Sequence, residues 1–201
     1  MLDRLLHKAP ADPAIAARIP PGQYLTEKFP VLHYGSTPHT DLGRWDFKVF
    51  GEVDSPFTLT WTQFKELPRK QVLTDIHCVT RWSKLDTAWE GVAIQTSLEM
   101  AGVRSNATHV IAHCEQGYTT NMPIEVLDDD DVLLCDMADD EPLTPEHGAP
   151  LRLLVPKRYF WKSAKWIRGL QLMTRDQLGF WERYGYHNDA DPWKEERFSG
   201  E

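Results

Sequence analysis

Short segments rich in β-branched and aromatic residues recur along this chain, each bounded by turn formers, and no long helical period runs between them. Residues Trp45 to Phe50 alternate as a half-buried strand does, and a turn at Asp54-Ser55-Pro56 leads to a shorter strand at Phe57 to Leu59. The pattern returns at Lys70 to His77, His109 to Cys114, Val132 to Met137, Arg152 to Val155 and Trp166 to Met173. Helices fit only brief stretches: Trp61 to Leu67, capped by Thr60 and stopped by Pro68, then Ile94 to Ala101, Pro123 to Leu127 and Arg175 to Tyr184. Strands therefore dominate, and the expected class is α+β with mixed sheets and short helices, not a βαβ alternation. Pro10, Pro13, Pro20, Pro21 and Pro30 break the opening, so residues 1–43 are expected as an extended N-terminal arm. Residues 176–201, aromatic from Phe180 to Trp193, are expected as a C-terminal tail. With 201 residues, 41 % of them hydrophobic, one core and a single domain over 1–201 suffice.

No apolar run approaches the span of a bilayer, and Met1 to Lys8 lacks both a long apolar stretch and a small-residue cleavage site. Neither membrane insertion nor export is expected. Cys78, Cys114 and Cys135 are an odd, widely spaced set, which favours reduced thiols and a cytoplasmic setting over a disulfide framework. A formal charge of −8 argues against non-specific nucleic-acid binding, but its distribution is more informative. Between Arg104 and Arg152 there is no Lys or Arg, and acids such as Glu125, Asp128 to Asp131 and Asp136 fill the stretch. From Leu151 to Arg175 the pattern inverts: Arg152, Lys157, Arg158, Lys162, Lys165, Arg168 and Arg175 occur with no acid. Such a run is either a solvated basic face or a site for a small phosphorylated ligand. There is no Gly-rich phosphate loop, and Asp128 to Asp131 lacks the spaced ligands of a calcium loop and reads as a solvated turn.

Cys78 ends an apolar strand, with His77 beside it and Arg81 three residues on. A nearby cation favours the thiolate, which ligates metals and attacks electrophiles; a buried structural thiol is the alternative. A zinc site from His77, Cys78, His113 and Cys114 is disfavoured, because neighbours on a strand point to opposite faces. A Cys-dependent hydrolase pairing Cys78 with His113 or His147 is open to geometry alone. Further on, His147-Gly148-Ala149-Pro150-Leu151-Arg152 reads as a turn delivering a strand whose first residue can fork onto a phosphate. A turn of free N–H groups around Ser163, with Lys165 adjacent, is expected to complete an anion site.

Taken in order, the Cys78 segment, Glu115-Gln116-Gly117-Tyr118, the His147 to Arg152 run and Ser163-Ala164-Lys165-Trp166 resemble the molybdopterin-binding domain of the sulfite oxidase superfamily. The chain is similar to its short bacterial members, the kind that serve as catalytic subunits of protein-methionine-sulfoxide reductase, over about residues 30–175. The resemblance implies the sulfite oxidase-type fold, a molybdenum–molybdopterin cofactor and Cys78 as the one protein ligand of the metal. By the same resemblance His33, Tyr34, Gly35, Cys114, His147, Arg152, Ser163, Ala164 and Lys165 hold the pterin and its phosphate. Tyr118 faces the substrate, and Arg81 is the candidate anion clamp, although sulfite oxidases place that arginine four residues after the cysteine and here the spacing is three. The implied reaction is two-electron oxygen-atom transfer on a small oxyanion, sulfoxide or N-oxide, with a non-catalytic pterin-binding protein as the alternative. With no C-x-x-C-H haem motif, a separate electron-transfer partner is expected.

Overall fold

The computed structural model describes residues 12–200. Two sheets organise them. The first joins β1 (Tyr24–Leu25), β4 (Arg69–His77), β5 (Trp82–Ala93), β8 (Leu133–Ala138), β9 (Glu141–Pro142) and β10 (Arg152–Leu154), with β5 and β8 at its centre. The second runs in the order β3 (Phe57–Thr60), β2 (Asp46–Gly51), β11 (Ile167–Met173), β6 (His109–Cys114) and β7 (Thr119–Pro123). Pairing is antiparallel except for β1 on β5 and β11 on β2, so the sheets are mixed. The helices are α1 (Pro13–Ala16), α2 (Trp61–Lys65), α3 (Ile94–Ala101) and α4 (Phe180–Arg183), all short. None of the helices among the described residues is long and apolar enough to cross a membrane.

The strand period of two explains how the core divides. Leu134 and Leu153 point into the larger core, between the sheets, with Phe47, Val110 and Leu170 of the second sheet and Phe64 of α2. Their neighbours Leu133, Cys135 and Leu154 point the other way, to a smaller core with Ile76, Trp89 and Phe160. The first sheet is thus buried on both faces along β8 and β10, where Leu133, Leu134, Cys135, Leu153 and Leu154 read as apolar runs.

Most expected elements stand within a residue or two of their sequence positions. The Thr60 cap forms a reciprocal pair: its hydroxyl accepts from Gln63 N and its own N–H donates to Gln63 Oε1. Four expectations are corrected. The longest strand, β5, carries Lys84, Asp86 and Glu90 and shows no apolar alternation; pairing on both sides makes it a strand. Thr119–Pro123 is a strand because β6 offers it a partner, and the expected Pro123 helix shrinks to a 3-10 turn at Ile124–Asp128. The helix expected from Arg175 forms only at Phe180–Arg183. The Pro-rich opening carries regular structure: Pro13 occupies the first turn of α1, capped by Asp12, and β1 adds to the sheet edge. Arg18 ties that opening down, bonding Asp75 at 2.6 Å and Asp86 at 2.6 Å. The first part of the expected arm, residues 1–11, lies outside the described residues.

Candidate functional site

The β4–β5 hairpin closes in a turn over Cys78 to Arg81, where Arg81 N donates to Cys78 O at 2.9 Å and Cys78 N donates to Trp82 O at 2.9 Å. Gln23 fastens the arm to the same turn by donating to Cys78 O at 3.1 Å. Cys78 sits at this tip, 7 % exposed, on the wall of a cavity of about 330 Å³. The Thr80 hydroxyl donates to its sulfur at 3.1 Å. Burial pushes the Cys78 thiol up, and the Thr80 hydrogen bond and the Lys165 charge oppose it. The cations expected to lower it do not act: His77 is buried, bonds Ser83 at 2.8 Å and is held neutral by desolvation. Arg81 is exposed at φ 75°, outside the cavity lining, and its Nη1 lies 3.2 Å from where a Cβ on Gly22 would sit. A hairpin turn that must reverse the chain at this residue carries its side chain outward, so the expected anion clamp does not reach the cavity.

The connection from β10 to β11 builds the opposite wall. Gly148, at φ 116°, leaves room for a close approach: a Cβ there would lie 3.1 Å from Arg152 Cβ and 3.2 Å from Lys165 Cβ. Arg152 and Lys165 then face each other across an isolated β-bridge. Arg152 is 1 % exposed, donates to His147 O at 2.7 Å and Ser163 O at 2.8 Å, and lies over the Phe160 ring at 4.3 Å. Among the described residues it has no carboxylate partner, and its Nε, fully buried, has no hydrogen bond. Desolvation pushes it down to about 10. Lys165, which donates to Glu146 O at 2.5 Å, is pushed down to about 7 by desolvation and by the Arg152 charge. A buried guanidinium with an unused N–H, beside a half-buried ammonium, is an arrangement that suits an anion.

The rest of the basic run disperses. Lys162 is buried against Glu182, Arg168 pairs with Asp46 and Glu115, and Lys157 pairs with Asp129. The run is not one surface: of its seven cations, Arg152 and Lys165 line the cavity. Three of the N–H groups around Ser163 are spent inside the turn: Lys162 N, Ser163 N and Ala164 N donate to Tyr159 O, Phe160 O and Lys162 O, and the Ser163 hydroxyl accepts from Val155 N at 2.8 Å. The tight return that uses them brings Lys165 opposite Arg152.

Of the residues singled out from the sequence, Cys78, His33, Tyr34 and Tyr118 line the cavity, and so do Arg152, Ser163, Ala164 and Lys165. Four lie outside the lining. Arg81 turns away; Gly35 is exposed beside Gln116; Cys114 is buried in the larger core with its thiol pushed up by burial. His147 works from behind, stacked on Phe29 at 4.0 Å and bonded to Phe29 O and Thr144 Oγ1. Neither His113 nor His147 bonds the Cys78 sulfur: His113 is held by Gln171 at 3.0 Å. Among the described residues no three His, Cys, Asp or Glu side chains converge as a metal site, so a metal at Cys78 needs ligands from outside the chain.

The mouth of the cavity is aromatic, and the sequence reading passed over it. Phe180 and Trp181 of α4, Trp161 and Tyr186 line it together with Tyr34 and Tyr118. The Tyr118 hydroxyl donates to Trp161 O at 2.9 Å, and burial, reinforced by the Glu182 carboxylate, keeps that phenol protonated. Aromatic density from residue 180 onward was the available signal, and it fits a wall as well as a packing tail.

Comparison with known proteins places these features. A protein-family model described as oxidoreductase molybdopterin binding domain matches residues 34–181. The chain is 48 % identical over 185 residues to the uncharacterized oxidoreductase YuiH of Bacillus subtilis (strain 168), spanning 92 % of this chain and 93 % of that protein. It is 27 % identical over 179 residues to a putative protein-methionine-sulfoxide reductase subunit, YedZ1, of Azospira oryzae, spanning 88 % and 68 %. The fold resembles the sulfane dehydrogenase SoxCD from Paracoccus pantotrophus with a TM-score of 0.68 at 21 % identity, covering 80 % of this chain and 47 % of that one.

Proposed function

This chain belongs to the oxidoreductase molybdopterin binding domain family, a sulfite oxidase-like group of molybdenum-cofactor enzymes, and from that premise we propose that it reduces sulfoxides or N-oxides by two-electron oxygen-atom transfer. The residues fit the cofactor: a buried guanidinium with an unbonded Nε and no carboxylate partner awaits a phosphate, and a thiol stands in the same cavity. Arg152 and Lys165 would hold the phosphate, with His147 and Gly148 shaping the turn behind them. Cys78 would ligate the metal, losing its proton as the bond forms. When bound, the cofactor supplies the two-electron couple and the acceptor for oxygen.

The observation that carries the choice of substrate is the charge inventory of the cavity. Its charged lining residues are Glu115, Arg152 and Lys165; Glu115 is paired with Arg168, and the two cations would be taken up by the cofactor's phosphate. With Arg81 outside, the mouth offers rings and the phenols of Tyr34, Tyr118 and Tyr186, which suit an uncharged oxide and leave a dianion without a cation. The Tyr118 hydroxyl can turn from Trp161 O to a substrate oxygen and hand over a proton there. The overall change is sulfoxide plus two electrons and two protons to sulfide plus water. The electrons come from a separate partner, in keeping with a relative named as a subunit.

Holoenzyme assayed with dimethyl sulfoxide and reduced viologen, and with sulfite and ferricyanide, tests the reading. Sulfoxide reduction should exceed sulfite oxidation in kcat/KM by roughly tenfold or more. Faster sulfite oxidation overturns it.

A further inference from the structure

We propose that Tyr34, Phe180 and Trp181 form a substrate subsite that selects oxides bearing an aryl substituent over small dialkyl oxides; this rests on the reading of the cavity as an oxide-reducing site and moves the Tyr34 ring, which meets Phe180 and Trp181, from the expected pterin set to the substrate side. The three rings pack on one another, so the slot is the open cavity space beside them and not a gap between them. Phe180 and Trp181 stand nearly perpendicular, centroids 5.1 Å apart at 84°, and Tyr34 crosses from another part of the chain, 5.0 Å from Phe180 and 6.1 Å from Trp181. Tyr34 is 66 % exposed although apolar ring surface prefers burial, so its outer face is available to a ligand. Tyr118 touches the same slot, 5.8 Å from Phe180, which joins it to the hydroxyl that meets the substrate oxygen.

The slot is rigid on one side. Gly179 seats the start of α4 directly on β7: a Cβ there would lie 2.6 Å from Thr120 Cα and 2.8 Å from Thr119 O. Glu182, 5 % exposed, then locks the helix by its ion pair with Lys162 at 2.6 Å and by accepting from Trp161 Nε1 at 2.9 Å. On the other side Gln116 donates to Ser36 O at 3.0 Å, fixing the loop that carries Tyr34. A pre-set pair of ring faces loses little freedom when a third ring enters, and aromatic contacts of this geometry favour an aryl group over a methyl group.

The test compares methyl phenyl sulfoxide with dimethyl sulfoxide on the holoenzyme. Each turnover draws two electrons from two reduced viologen molecules and two protons from water, breaks the S–O bond and releases sulfide and water. The aryl substrate should be preferred in kcat/KM by about tenfold or more. That ratio should fall about threefold to tenfold in Tyr34→Ala, Phe180→Ala and Trp181→Ala, and less in Phe180→Leu, which keeps the volume. A second readout needs no turnover: methyl phenyl sulfone, titrated calorimetrically, should bind several-fold more weakly to Tyr34→Ala, whose exposed position makes it the variant least able to disturb the fold. An aryl-to-dialkyl ratio near one, or sulfone binding equal in wild type and Tyr34→Ala, overturns the subsite. If neither sulfoxide turns over while the sulfone still discriminates Tyr34→Ala from wild type, the subsite stands and the oxide-reducing reading falls.

Discussion

At one end of the cavity a buried Arg152 and a half-buried Lys165 have no carboxylate partner among the described residues and are held in place by carbonyl oxygens and a ring face. At the other end Phe180 and Trp181 present apolar rings on a four-residue helix, held from behind by one buried ion pair between Lys162 and Glu182. The basic end is electrostatically incomplete and waits for a ligand. The aromatic end is electrostatically complete in itself and offers only shape and apolar surface. One fold has therefore kept its unpaired charge apart from its buried ion pair.

That contrast breaks most completely at the thiol. Cys78→Ser should abolish turnover and remove one sulfur neighbour from the X-ray absorption spectrum of the molybdenum; unchanged activity would remove Cys78 from the site. Next in size is the aromatic anchor. Glu182→Gln leaves Lys162 as a buried charge without its counter-ion, which should destabilise the fold by ~3–5 kcal/mol in urea unfolding and lower the aryl preference. The opposite sign is expected at the basic end. Arg152→Met removes an uncompensated buried cation, so the cofactor-free protein should gain or keep stability, while molybdenum retained after dialysis falls, by an affinity loss of ~2–3 kcal/mol. Loss of both stability and cofactor would mean that Arg152 is structural.

Acid should sharpen the same comparison by loosening the thiol end first. His77, next to Cys78 in the chain, is pushed down to about 4 by burial. The unfolded chain therefore takes up this proton first as the pH falls below about 6.5, so the contribution of neutral His77 is present above that value and is lost on the way to about 4. Denaturation at pH 7 and pH 4.5 should show a fall on the order of 2 kcal/mol in wild type that is smaller in His77→Asn. An equal fall in both would clear His77.

Much of the frame was legible in the chain. β6 at His109–Cys114 and α3 at Ile94–Ala101 stand where composition and turn formers put them, because local preference and burial agree there. β5 was hidden because its stability comes from partners on both edges, which no local window contains. At the site, Cys78, Arg152 and Lys165 were legible as residue types that need company. Thr80, Trp161, Phe180 and Trp181 were not, because a threonine two residues from a cysteine and an aromatic tail have many ordinary uses.

What the sequence determined by itself was the inventory: thiols at two strand ends, a run of cations without acids, an aromatic C-terminus, and strand periods too short for a helical fold. Tertiary structure decided which of those groups meet. Arg81, three residues from Cys78, turns away, whereas Lys165 and Tyr34, far from it in sequence, line the same cavity. The physical reason is that a side chain's direction follows from the turn that carries it and the partners that bury it, and both are set by contacts between distant segments.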